Sequence, residues 1–179
     1  MKQLLSFLSV LALAAMINGC TVNKDFSFDI DYDLCTNEIN NTTYSVTKTV
    51  YGKDYSSDFD KYKEDISNVD VESITFTVLS STVTSPSQEI VSATASAADV
   101  SGGPFVEIGT VKNVNLTTAR GVETPLTLTD AGKQKVEDLL LGSDGGGIFK
   151  FEGTSNDKPV IFCVKFKMHL KATYEKTIP

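Results

Sequence analysis

Apolar and polar residues alternate along much of this chain with a period of two, the signature of strands that bury one face. Over residues 26–34 the alternation has no fault: Phe26, Phe28, Ile30, Tyr32 and Leu34 are separated by Ser27, Asp29, Asp31 and Asp33. Residues 44–51 read as a second strand with Tyr44, Val46 and Val50 on one face. Over 71–79, Ile74, Phe76 and Val78 alternate with Ser73, Thr75 and Thr77. Residues 90–100 form a weaker, Ala- and Ser-rich strand, and 105–114 another, beyond a break at Gly102-Gly103-Pro104. The stretch 121–128 holds Pro125, which suits brief pairing at a sheet edge. Residues 148–151 and 159–174 supply the final strands. The last sets Phe162, Val164, Phe166, Met168 and Leu170 against Lys165, Lys167, His169 and Lys171.

Two segments switch to helical spacing. Ser57 is read as an N-cap, with Phe59, Tyr62 and Ile66 falling on one side of a short helix. Thr129 caps a second helix that carries Val136, Leu139 and Leu140 and stops at Gly142. Seven or eight strands with two short helical connections predict a mainly β protein, an antiparallel β-sandwich immunoglobulin-like in style. A closed β-barrel is the alternative.

The first and last strands complement each other in one antiparallel register, in which opposed residues have a constant sum of position numbers. Setting Cys35 against Cys163 places Asp33 by Lys165, Asp31 by Lys167 and Asp29 by His169. It also sets Leu34, Tyr32, Ile30 and Phe28 against Val164, Phe166, Met168 and Leu170. The competing arrangement leaves the two strands apart with both polar faces solvated. Cys35 and Cys163 are then either a disulfide, as an oxidising compartment allows, or two inert, partly buried thiols.

Ahead of the first strand, residues 1–20 read MKQLLSFLSVLALAAMINGC. Lys2 is followed by an apolar core of about a dozen residues, the form of an export signal and shorter than the roughly 20 residues of a membrane-spanning helix. The closing Ile17-Asn18-Gly19-Cys20 resembles the lipobox of bacterial lipoproteins. That resemblance covers the leader and Cys20 alone. It implies diacylglyceryl transfer to the Cys20 thiol, cleavage before Cys20 and acylation, as with palmitate, of the new amine. Thr21 in place of Asp implies an outer-membrane destination, on the periplasmic face or the cell surface. The chain as a whole is similar in style to small lipoproteins of Bacteroidota. The expected organisation is a signal peptide at 1–19, a lipidated tether at 20–25 and one sandwich domain at 26–179.

Charge narrows the choice of partner. Lys2 is the only charge in the leader, so the remainder carries 15 basic against 23 acidic residues, net −8. An acidic surface argues against nucleic acid. Asp29-x-Asp31-x-Asp33 invites a calcium reading, but Leu34 stands where the calcium loop needs Gly and Asn40 where it needs Glu. On a strand such carboxylates are splayed about 7 Å apart. They are read as a solvated strand face, with a cation site as the minor alternative.

His169 is the only histidine, so a multi-His zinc site is excluded and a Ser-His-Asp site would depend on it alone. No G-x-S-x-G elbow surrounds any serine, and the Gly-rich run at 142–147 matches no phosphate-binding loop. With no Trp to stack a sugar, a carboxylate glycosidase is disfavoured. No cofactor is called for. The preferred function is a membrane-anchored, non-enzymatic subunit for binding, adhesion or envelope assembly, with a protein or glycan partner. The alternative is a carboxylate- or Ser/His-dependent hydrolase.

Overall fold

A computed structural model describes residues 20–178; the expected leader at 1–19 lies outside the described residues. Among the described residues there are nine strands: β1 Cys20–Glu38, β2 Thr43–Tyr51, β3 Ile66–Thr82, β4 Glu89–Asp99, β5 Val106–Asn115, β6 Glu123–Pro125, β7 Thr127–Leu128, β8 Gly146–Ser155 and β9 Val160–Ile178. Two α-helices, α1 Ser57–Tyr62 and α2 Asp130–Leu141, interrupt them. A first sheet has the order β1-β9-β3-β6 and a second the order β2-β8-β4-β5-β7. Every ladder between these strands is antiparallel. The sheets stay separate and do not close on each other, so the architecture is a sandwich and not a barrel.

The inner faces are the apolar phases of the strands. Ile30, Val78, Phe151, Val164, Phe166, Met168 and Leu170 are all at most 1% exposed. Tyr32 stacks on Phe166 with centroids 5.5 Å apart, and Phe151 meets the same ring edge-on at 5.1 Å. Aromatic pairs at such geometry contribute beyond the area they bury. Small residues, Ala93, Ala95 and Ala97, occupy buried positions of β4. They leave room for α2, which touches β3 of one sheet and β4, β5 and β8 of the other.

β1 and β9 pair over 19 residues without a bulge, in the register that charge and apolar matching suggested: Cys35 faces Cys163, Asp29 faces His169, and Ile30 faces Met168. Cys35 and Cys163 are joined by a disulfide with Cα atoms 4.1 Å apart.

Three boundaries differ from expectation. Residues 20–25, read as a tether, are strand, because β9 continues past Tyr174 and supplies a ladder partner for each of them. The first helix is capped by Ser56, not Ser57: its hydroxyl accepts the Phe59 N–H at 3.1 Å. That helix ends at Tyr62, and Ile66 opens β3 opposite Tyr174. Thr129 caps α2 as expected, accepting the Gly132 N–H at 2.9 Å. Gly132 is needed there, since a Cβ would lie 2.3 Å from the Ile108 Cα of β5.

Candidate functional site

The outer face of the first sheet collects the polar residues singled out in the sequence. β1 presents Asp25, Asp29, Asp31 and Asp33 beside Lys165, Lys167, His169 and Lys171 of β9, and β3 adds Asp70 and Glu72 on the far side. The result is an acid–base–acid arrangement with the bases on the central strand.

His169 is its hinge. Its Nδ1 lies 2.5 Å from Asp29 Oδ1 and its Nε2 3.0 Å from Glu72 Oε2. Carboxylates only accept, so both contacts are hydrogen bonds together only when the ring carries a proton on each nitrogen. Asp29 also holds Lys167 through Oδ2 at 2.9 Å. Partial burial works against the Asp29 anion, yet the bonds from Lys167 and His169 outweigh it and hold the carboxyl below its ordinary value. Four residues along the ladder, Lys171 meets Asp25 at 2.7 Å and Thr173 donates to it at 2.9 Å. These bonds, that of Lys171 foremost, lower the Asp25 carboxyl in turn. Ser73, Thr75 and Glu123 line the same shallow hollow as Asp29, Lys167 and His169, and Thr75 donates to Glu123 at 2.7 Å.

The expected partners of the aspartates are corrected in part. Asp29 meets His169, but Lys167 leaves the directly opposed Asp31 for Asp29, and Asp31 and Asp33 take part in no ion pair among the described residues. Strands twist right-handedly, which brings one diagonal neighbour across the pair closer than the other. Lys171 follows the same diagonal, reaching Asp25 from its place opposite Ser27.

Glu72 was not anticipated. The β3–β9 register slips between Val71 and Ser73, and the residue skipped is Glu72. A bulge of this kind re-aims a side chain, here onto His169. The signal was present as a phase change: the buried apolar positions move from odd, Val69 and Val71, to even, Ile74, Phe76 and Val78.

Chemically the face favours fixed charge over turnover. A general base needs one ring nitrogen facing the proton that it removes. In His169 both nitrogens face carboxylates, and no serine hydroxyl bonds to it among the described residues. Asp29, Asp31 and Asp33 occupy successive alternate positions of β1, a spacing of about 7 Å along the strand that splays their carboxylates. No group of three His, Cys, Asp or Glu side chains suited to a metal occurs among the described residues.

No family model and no curated protein matches the chain. Among solved structures, the decameric BFDV capsid protein is similar at 8% identity and TM-score 0.39, over 84% of this chain and 99% of that one. The Macrobrachium rosenbergii nodavirus particle matches at 9% identity and TM-score 0.40, over 88% and 97%. Turnip yellow mosaic virus matches at 8% identity and TM-score 0.29, over 89% and 96%. Likenesses at this level say nothing about what the chain binds.

Proposed function

We propose that the chain is a lipid-anchored protein of the bacterial envelope, held at the outer membrane through acyl chains on Cys20. Its sandwich serves as a non-enzymatic binding or accessory subunit for a protein or glycan. The observation that carries this reading is Ile17-Asn18-Gly19-Cys20 behind a charged and apolar leader. Two or more acyl chains suffice for stable anchoring, since each buried methylene contributes roughly 0.8 kcal/mol.

The fold is compatible with close attachment. Cys20 is already in strand, and residues 20–25 rise as a ribbon with the end of β9. At roughly 3.3 Å per residue, such a stem holds the sandwich within about 20 Å of the anchored residue. The clamped His169 supports a binding role over a hydrolytic one.

Labelling with a palmitate analogue, followed by membrane fractionation, tests the anchor. The wild-type protein is expected to take up label and sediment with membranes, and Cys20→Ser to do neither. Retention of Cys20→Ser in the membrane would overturn the reading. Protease treatment of intact and lysed cells then assigns the periplasmic or outer side. Turnover of a generic ester or glycoside substrate that disappears in His169→Ala would replace the binding role with a hydrolytic one.

A further inference from the structure

β1 ends the first sheet, and the register determines which of its backbone groups look outward. Opposed residues in an antiparallel pair alternate between bonded pairs, with Cα atoms about 5.5 Å apart, and non-bonded pairs near 4.5 Å. Cys35 and Cys163, at 4.1 Å, are of the second kind. The ladder has no bulge, so every odd position of β1 points its N–H and C=O away from β9. Contacts on the other side of β9 agree: the Glu175 N–H bonds the Asp65 carbonyl at 3.0 Å, and the Ser67 hydroxyl bonds the Thr173 carbonyl at 3.3 Å, both toward the start of β3. Among the described residues, no backbone hydrogen bond outside the β9 ladder involves β1.

The open edge has a defined character on each face. Above it stand Asp25, Asp29, Asp31 and Asp33, of which Asp31 and Asp33 have no ion pair among the described residues. Below it run Phe28, Ile30, Tyr32 and Leu34, continuous with the core. A second copy laid along this edge would set aspartates beside aspartates, an arrangement that destabilises pairing and is a known defence of exposed edges. A strand of the opposite pattern meets no such barrier. β9 already demonstrates it, with Lys165, Lys167 and Lys171 above and Val164, Phe166, Met168 and Leu170 below, seated on the other side of β1.

We propose that the free edge of β1 is a strand-addition site for an extended partner segment carrying Lys or Arg at every second position and apolar residues between. Main-chain bonds to the odd positions of β1 supply affinity, and the aspartates supply selection. The inference rests on the partner-binding half of the function proposed above and is independent of the anchor. Loss of acylation leaves it standing, and failure to bind a strand leaves the anchor standing.

The test uses full-length protein in detergent and the labelled peptide acetyl-Lys-Val-Lys-Val-Lys-Val-Lys-amide, followed by fluorescence anisotropy at about 0.15 M salt. Three comparisons accompany it: the same peptide methylated on alternate backbone nitrogens, an Asp-Val counterpart, and the protein variant Asp31→Lys/Asp33→Lys. Saturable binding of the basic peptide is expected, weakened about tenfold or more by backbone methylation and by the double variant. The Asp-Val peptide should bind only the variant. No saturable binding, or equal binding of the methylated peptide, would overturn the proposal, the latter by reducing it to charge attraction. Concentration-dependent dimerisation through β1 that excludes the peptide would overturn it in favour of a second copy. Should the lysine variant lose its native circular dichroism, Asp31→Asn/Asp33→Asn takes its place, with weakened binding again expected.

Discussion

Lys167 reaches Asp29 at 2.9 Å although the residue directly opposite it is Asp31. The diagonal leaves Asp31 between two other aspartates without a cation of its own among the described residues. Lys167→Met is therefore expected to lower stability slightly, through the loss of the Asp29 contact. Asp31→Asn is expected to be neutral or mildly stabilising, because it removes like-charge repulsion and no bond. Both effects should shrink in about 0.5 M salt, where screening shortens to a few ångströms. Urea midpoints at low and high salt check this, and a larger loss from Asp31→Asn than from Lys167→Met would refute it.

The same contacts predict two limbs in the pH dependence of stability. Asp25 and Asp29 titrate below their ordinary 3.8 in the folded chain. Their contribution is complete above that value and is lost as the pH falls through the lowered folded values. Lys167 and Lys171 titrate above 10.5, chiefly because Asp29 and Asp25 bond them, so their contribution is present below 10.5 and is lost at still higher pH. Unfolding measured across this range should give a plateau between the limbs. Asp29→Asn should flatten the acid limb without moving the plateau's basic edge to lower pH by more than its lost bond to Lys167 allows.

The disulfide joins residues 128 positions apart. Chain-entropy arguments assign a bridge closing so long a loop about 5 kcal/mol. Cys35→Ser/Cys163→Ser should lose stability on that order, and wild-type protein treated with reductant should match it. Equal urea midpoints for oxidised and reduced protein would contradict the assignment.

Tyr44 is 4% exposed, and its hydroxyl has no hydrogen-bond partner among the described residues. Burial pushes the phenol's pKa up, so the hydroxyl stays neutral. Its ring packs edge-on against Phe162 with centroids 5.1 Å apart. Removing a buried, unpaired hydroxyl recovers about 1–3 kcal/mol of desolvation, so Tyr44→Phe is expected to stabilise. Gly153, opposite Tyr44, should tolerate nothing larger. A Cβ there would lie 2.3 Å from the Ser92 carbonyl oxygen and 2.8 Å from the Tyr44 hydroxyl. Thermal unfolding should shift up for Tyr44→Phe and down for Gly153→Ala.

Much of this fold was legible in one dimension. Period-two alternation marked the strands, and helical spacing with Thr129 and Gly142 bounded α2, because burying one face of an element leaves a direct imprint on its residues. Even a contact spanning well over a hundred residues could be read, because a long strand pair repeats one matching rule at every step: Asp against Lys or His outside, apolar against apolar inside. The resemblance of Ile17-Asn18-Gly19-Cys20 to a lipobox is likewise carried by adjacent residues alone.

What the sequence left open depends on geometry between elements. Diagonal ion pairs arise from sheet twist, which acts on neighbours that share no local pattern. The strand order that leaves β1 at an edge is a relation between distant elements: β9 pairs with β1 on one side and with β3 on the other, and no local pattern states it. The clamp on His169 required a bulge that turned Glu72 toward β9. Its only trace in the sequence is a shift of apolar phase between Val71 and Ile74, which acquires meaning once the strand opposite is known.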